Sequence, residues 1–157
     1  MSKILIVYYS KSGNTEKMAF VIAENLKKLG VEILIKRVEE VKVDDLVSSD
    51  GIVVGSPTYY GTMAGQLKKL FDDSVAAHGD LDGKAGAAFA TAANIAGGNE
   101  TTILSILQAM LIHGMIIQGD PQGSHYGPVS INEPDEKVKE ECKRFAERFA
   151  ALLEKVK

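Results

Sequence analysis

The residues with the clearest chemical potential form the run Ser10-Lys11-Ser12-Gly13-Asn14-Thr15. Its hydroxyl and amide side chains can hydrogen-bond an anion, and Gly13 lets backbone amides approach that anion closely. The apolar run Lys3–Tyr9 precedes this segment, and a helical pattern beginning near Glu16 follows it. A buried strand, a hydroxyl-rich turn and a helix N-terminus in that order predict a phosphate cradle. An ordinary strand-to-helix turn with Ser and Asn as helix caps is the competing interpretation.

Neither of the two common phosphate loops occurs in the chain. No run matches G-x-x-x-x-G-K-[ST], the loop of nucleoside-triphosphate-binding proteins, or the dinucleotide fingerprint G-x-G-x-x-G. A cradle at Ser10–Thr15 would therefore hold its phosphate with amides and hydroxyls.

A second segment, Pro57-Thr58-Tyr59-Tyr60-Gly61, follows the apolar run Gly51–Gly55. Two adjacent aromatic residues between Pro and Gly, at the end of a central strand, suit contact with a flat ring. Packing of the Tyr pair on a neighbouring loop or on another subunit is the alternative.

A third segment, Ala92-Ala93-Asn94-Ile95-Ala96-Gly97, follows the small-residue run Lys84–Ala90. Small residues let backbone amides and carbonyls face a ligand, although a flexible surface loop has the same composition. The three segments together suit a phosphate, a flat aromatic ring and the polar edge of a heterocycle. Flavin mononucleotide (FMN) has all three features.

Alternating strands and helices must position these segments. The predicted strands are Lys3–Tyr9, Val31–Arg37, Gly51–Gly55, Lys84–Ala90 and Met115–Gln118. The predicted helices run from near Glu16 to Leu29, over Val43–Leu46, Thr62–Asp73 and Glu100–His113, and from after Pro134 to the end. This alternation predicts an α/β fold: one domain, residues 1–157, with a doubly wound, five-stranded parallel sheet in the order 2-1-3-4-5 and helices on both faces.

Composition excludes several function classes. The 157 residues carry a net charge of −3 and no basic cluster, so a nucleic-acid-binding surface is not expected. No signal peptide or membrane-spanning run precedes the first strand, and we expect a cytoplasmic protein without a membrane partner. The single cysteine, Cys142, shares an apolar helical stripe with Phe145 and Phe149, which favours a core position over a catalytic thiol. The three histidines lack ligand spacing, so no metal site is predicted.

Three motifs resemble the flavodoxin-like superfamily. Ser10–Thr15 looks like the flavodoxin phosphate loop. Gly55–Gln66 is similar to the G-x-P-T-R-F-G-x-M-x-G-Q motif of NAD(P)H:quinone oxidoreductases of the Trp-repressor-binding-protein type. Gly97–Thr101 and His113–Met115 also resemble that branch, which reads G-G-Q-E and later H-H-G-M. The resemblance implies FMN contacts at Ser10–Thr15, Pro57–Gly61 and Ala92–Gly97, with the flavin itself, rather than a catalytic side chain, carrying the chemistry.

The resemblance implies an oxidoreductase that passes electrons from NAD(P)H to a quinone-like acceptor. The chain departs from the quinone-reductase branch because it is shorter, has no Trp, and has Ile112 where that branch has its flavin-contacting histidine. A flavodoxin-type one-electron carrier between protein partners is therefore the alternative, and a non-redox interaction module is a third. The resembled branch is oligomeric, which implies a homodimer or homotetramer. His125 and Tyr126 are expected at the flavin rim, at a second subunit, or in a plain surface loop.

Overall fold

A computed structural model describes the whole chain, residues 1–157. The strands are β1 (Lys3–Tyr8), β2 (Glu32–Arg37), β3 (Gly51–Pro57), β4 (Ala85–Ala92), β5 (Ile116–Ile117) and β6 (Val129–Ile131). The α-helices are α1 (Asn14–Lys28), α2 (Val43–Val47), α3 (Gly65–Asp73), α4 (Asn99–Ile112) and α5 (Glu136–Val156). Two short 3-10 segments, Val38–Glu40 and Ser74–Ala77, complete the regular structure.

The sheet has the predicted strand order, β2-β1-β3-β4-β5, and its pairings are parallel. Two apolar clusters lie on its opposite faces. One joins α1 and α5 through residues such as Ile22 and Phe149, and the other joins α3 and α4 through residues such as Leu67 and Ile106. Burial on both faces explains why β1, β3 and β4 read as continuous apolar or small-residue runs. The doubly wound α/β prediction is confirmed.

The fifth strand differs from the prediction. Instead of spanning Met115–Gln118, β5 contains only Ile116 and Ile117, which pair with the start of β4. The chain then leaves the sheet and returns as β6, which pairs in parallel with the end of β4. One edge of β4 pairs with β3. The strands β5 and β6 therefore share the other edge, where they form a single edge strand with an interruption. The turn-forming run Asp120–Gly123, which contains Pro121, explains the interruption.

The segment between these pieces, residues 118–128, is attached to α5. Asp120 accepts hydrogen bonds from Arg144 Nε and Nη2 at 2.6 and 2.8 Å, and Ser124 Oγ donates to Glu141 Oε2 at 2.8 Å. The Arg144 guanidinium holds the pKa of the Asp120 carboxyl well below its usual range. At its far end the segment lies against the sheet, because a Cβ on Gly127 would come within 2.1 Å of the Ala88 carbonyl oxygen.

Helix α5 buries the stripe that contains Cys142, whose side chain is fully enclosed. Burial raises the pKa of the Cys142 thiol to about 12, so the thiol stays protonated at neutral pH. None of the helices combines the length and apolarity that crossing a bilayer requires.

Candidate functional site: three loops at one edge of the sheet

The three predicted loops leave the carboxyl ends of β1, β3 and β4, which are neighbours in the sheet. The Tyr9 amide donates to the Gly55 carbonyl at 3.2 Å, and the Thr58 amide donates to the Thr91 carbonyl at 2.8 Å. The parallel ladder therefore continues past the strands and holds the loops side by side. From β1 the chain passes to β2 on one side, and from β2 it passes to β3 on the other side of β1. Open α/β sheets bind ligands in the crevice at such a reversal of direction, which here lies between the carboxyl ends of β1 and β3.

The first loop, Ser10–Thr15, is shaped by Ser10 and Gly13. The Ser10 hydroxyl oxygen accepts hydrogen bonds from the amides of Gly13 at 3.1 Å and Glu16 at 3.3 Å. Gly13 has a φ of +97°, a conformation that glycine adopts without steric cost. Ser10 thus shapes the loop and caps α1, while its hydroxyl proton can still reach a ligand.

The remaining amides of this loop are unpaired. The N–H groups of Lys11, Ser12, Asn14 and Thr15 donate to no acceptor in the protein. Thr15 is buried, so water cannot freely compensate its amide, and an unpaired buried N–H is costly. Its side chain is fixed, because Thr15 Oγ1 lies 2.8 Å from Thr91 Oγ1 at the end of β4. These four amides, two of them in the first turn of the 15-residue helix α1, form an anion site that fits a phosphate.

The second loop turns sharply at its tyrosines. Tyr59 and Thr62 exchange both of their backbone hydrogen bonds, at 3.1 and 3.2 Å. Tyr60 and Gly61 between them have φ values of +50° and +76°, as in a type I′ turn. A side chain at positive φ costs about 1–2 kcal/mol, which marks Tyr60 as a strained residue. Its ring is fully exposed, whereas Tyr59 packs edge-on against Tyr9 with centroids 6.2 Å apart.

The third loop touches the second. Of the predicted contact residues, Ala92 lies buried at the end of β4, whereas Ala93 through Gly97 are exposed. The next residue, Gly98, has a φ of +103°, and a Cβ there would lie 2.7 Å from Gly61 Cα. Gly98 therefore permits the close approach of the two loops, a role that the sequence prediction missed.

Two buried polar atoms at this edge lack partners. Thr58 Oγ1 follows β3, and Asn99 Oδ1 begins α4. Buried polar groups are nearly always hydrogen-bonded, so Asn99 Oδ1 fits a donor on a ligand and Thr58 Oγ1 fits either a donor or an acceptor. The orphaned atoms and the unpaired amides support a ligand with a phosphate at one end and a polar heterocycle at the other.

A network behind the first loop was also missed by the sequence prediction. Arg37 donates from Nη1 to Glu16 Oε2 at 3.0 Å and from Nη2 to the Ser10 carbonyl at 2.5 Å. Tyr8 Oη donates to the same Glu16 oxygen at 2.6 Å. Burial and the Glu16 hydrogen bond raise the pKa of Tyr8 to about 12, so Tyr8 stays a donor at neutral pH. The sequence contained one signal for this network. Arg37 is the last residue of the predicted second strand, and that position places it beside Tyr8 at the end of β1.

The structure places His125 and Tyr126 in the segment between β5 and β6. His125 Nδ1 lies 2.7 Å from the Asp120 carbonyl oxygen. Both residues line a cavity of about 50 Å³ between β4 and α5, together with Ala87 and Phe149. Their place at a flavin rim or at a second subunit stays a prediction.

Three comparisons with known proteins indicate the same family. The model of the flavodoxin domain matches residues 5–108. The flavodoxin of Aquifex aeolicus is 38% identical over 96% of this chain and 86% of its own length. An NAD(P)H dehydrogenase (quinone) of Archaeoglobus fulgidus is 33% identical over 99% of this chain and all of its own. The structure of a flavodoxin from the domain Archaea superposes with a TM-score of 0.81 and 31% identity, covering 97% of this chain and 99% of that one.

Proposed function

Because the chain belongs to the flavodoxin family, we propose that its three loops bind FMN and that it is an FMN-dependent oxidoreductase. We further propose that it passes electrons from NAD(P)H to a quinone-like acceptor, and that residues 1–157 act as one domain. The observation that carries the cofactor assignment is the set of four unpaired amides at Lys11, Ser12, Asn14 and Thr15.

The first loop holds the phosphate in this proposal. The four amides and the dipole of α1 favour a dianion, and the hydroxyl of Ser12 and the side chain of Asn14 add polar contacts. Thr15 carries its amide into the cradle because the Thr91 hydroxyl fixes its side chain. Lys11 is exposed and free to contribute charge from the solvent side.

The second and third loops hold the ring. Pro57 through Gly61 supply the aromatic surface of Tyr59 and Tyr60, and Ala92 through Gly97 supply backbone groups for the polar edge. The turn holds Tyr60 at positive φ with its ring fully exposed, so the ring is available for stacking. Thr58 Oγ1 and Asn99 Oδ1 are the buried atoms that bound flavin would satisfy.

FMN, when bound, supplies hydride and single-electron transfer, and the protein sets its environment. Neither Gly55–Gln66 nor Thr91–Asn99 contains a charged residue. The two ring loops therefore act on the flavin through neutral dipoles, chiefly backbone amides and carbonyls. No side chain of these loops carries a positive charge, so backbone amides would be the groups that stabilise the negative charge of a reduced flavin.

A one-electron carrier between redox proteins is the second candidate. The relative from Aquifex aeolicus that is named flavodoxin, 38% identical over 96% of this chain, supports this alternative. The fully exposed ring of Tyr60 lies at the surface that a redox partner would contact. In either role we propose a cytoplasmic protein, since NAD(P)H and soluble redox proteins are found there. A homodimer or homotetramer could form through the apolar rim of Tyr59, Tyr60 and Tyr126.

Three measurements test the proposal. Titration of the apoprotein with FMN, followed by quenching of flavin fluorescence, is expected to give saturable binding, and its absence would refute the cofactor assignment.

NAD(P)H oxidation with a benzoquinone acceptor is expected to exceed the rate with the same concentration of free FMN. A stepwise reductive titration separates the two functions, because two resolved one-electron steps favour the carrier and a single two-electron step favours quinone reduction.

A further inference from the structure

We propose that Arg37 increases the preference of this site for FMN over riboflavin, the same flavin without its phosphate. The inference rests on the proposed FMN-binding function and adds a specificity-determining residue to it. Arg37 is a positioning residue, because it acts through Glu16 and Ser10.

Arg37 joins both ends of the phosphate loop. It ends β2, where its register partner on β1 is Tyr8, and its guanidinium lies 5.6 Å from the Tyr8 ring centroid. One arm of the guanidinium donates to the Ser10 carbonyl before the turn, and the other donates to the Glu16 carboxylate after it. The planar fork of Arg allows both bonds at once, whereas a lysine ammonium lacks this geometry. The loop is thereby held between β1 and the first turn of α1.

Arg37 also compensates an unfavourable charge. Glu16 is the third residue of α1, so its negative charge belongs to the helix turn whose amides would receive a phosphate. A carboxylate there competes for the same positive potential and repels a phosphate dianion. The Arg37 guanidinium and the Tyr8 hydroxyl both bind Glu16 Oε2, at 3.0 and 2.6 Å. The pair neutralises Glu16 and fixes it against Tyr8.

Neither nearby lysine binds Glu16 as Arg37 does. Lys11 is exposed and makes no hydrogen bond, and Lys17 is engaged with Glu133 at 2.6 Å. Without Arg37, Glu16 would place an uncompensated negative charge beside the cradle. That charge opposes the phosphate of FMN and leaves the uncharged end of riboflavin unaffected.

The test compares two ligands on a set of variants. Dissociation constants for FMN and riboflavin are measured by fluorescence quenching on the wild type, Arg37→Gln, Glu16→Gln and the double variant. Arg37→Gln is expected to weaken FMN by about tenfold and riboflavin by less than about twofold. The double variant is expected to regain most of the lost FMN affinity, because it removes both charges. Arg148→Gln is the matched control, since Arg148 binds Gly119 and Asp120 in the segment between β5 and β6.

Specific outcomes would overturn the inference. Equal weakening of FMN and riboflavin by Arg37→Gln would mean that Arg37 only supports the fold, and unchanged FMN affinity would mean that it has no role. Arg37→Lys retains the charge without the fork and is expected to lose about threefold in FMN affinity, which provides the same comparison should the Gln variant be unstable. A wild-type protein that binds neither flavin would instead refute the proposed function.

Discussion

The phosphate loop and the segment between β5 and β6 are both polar, glycine-containing turns beside the sheet, but they use their polar groups differently. In Ser10–Thr15, four amides have no acceptor in the protein. In residues 118–128, Asp120 binds Arg144, Ser124 binds Glu141, and His125 contacts the Asp120 carbonyl. Both loops leave amides without an acceptor, but the side chains of Lys11, Ser12 and Asn14 make no hydrogen bond, whereas those of Asp120 and Ser124 are bound to α5. Side-chain bonds to α5, rather than polarity or glycine content, therefore mark residues 118–128 as a structural loop, and the first loop is the one that opens a 15-residue helix.

The largest expected effect is on the structural loop. Gly127→Ala introduces a Cβ at a φ of +143°, and that Cβ would lie 2.1 Å from the Ala88 carbonyl oxygen. We expect a loss of about 3 kcal/mol in the free energy of unfolding, measured by urea denaturation of the apoprotein. FMN affinity of the folded protein should change less than about twofold. A stable variant that fails to bind FMN would contradict the division between the two loops.

A smaller effect is expected at the second loop, Pro57–Gly61, which we propose to contact the flavin ring. Tyr60→Gly relieves the strain of a side chain at a φ of +50° and removes the fully exposed ring. Unfolding of the apoprotein should become less favourable by about 1 kcal/mol, while FMN binding should weaken about tenfold through lost stacking. Tyr60→Asn is the matched control, because Asn tolerates positive φ and also lacks the ring. If neither variant weakened FMN binding, Tyr60 would have no part in holding the ring.

The ion pair of the structural loop should give a pH-dependent effect. Asp120 has a lowered pKa in the folded protein, so its stabilisation is complete above the unfolded pKa of about 4 and is lost progressively as pH falls from there through the lowered folded pKa. Asp120→Asn should lower the thermal midpoint by about 4 °C at pH 7, by somewhat less at about pH 3 and by markedly less at about pH 2. An equal loss at pH 7 and at about pH 2 would exclude the charge as its cause.

The smallest effect concerns a buried group outside both loops. His113 Nδ1 is buried and has no hydrogen-bond partner in the protein, while its Nε2 lies 2.7 Å from Ser74 Oγ. Since Ser74 Oγ donates to the Phe71 carbonyl, Nε2 carries the imidazole proton and Nδ1 is an unsatisfied acceptor. Burial, followed by the nearby His78, lowers the pKa of His113.

A lowered histidine pKa means that the unfolded chain takes up a proton that the folded protein does not. Stability should therefore decline as pH falls below about 6.5, the unfolded pKa. His113→Asn should flatten the pH dependence of the urea midpoint between pH 5 and 7, whereas His78→Asn should change it less. A decline unchanged by His113→Asn would assign it to other groups.

The sequence by itself determined the strand order and the places of the three loops. Apolar runs such as Gly51–Gly55 and turn residues such as Gly13 are local signals, and parallel strands bring their carboxyl ends to one edge whatever the side chains around them. Helix starts were predicted within a few residues, except α3, which begins at Gly65 because the turn and the segment after it occupy Thr62–Ala64.

Only the tertiary structure decided which polar groups find a partner within the protein and which stay available to a ligand. Arg37 reaches Ser10 across 27 residues, and Gly98 meets Gly61 across two strands, so neither contact has a local sequence signal. The division of the fifth strand depends likewise on how residues 118–128 bind α5. Local patterns set the backbone geometry of each element. Hydrogen-bond partners and charge compensation depend on residues that folding brings together, and these contacts decide which groups of a loop remain available to a ligand.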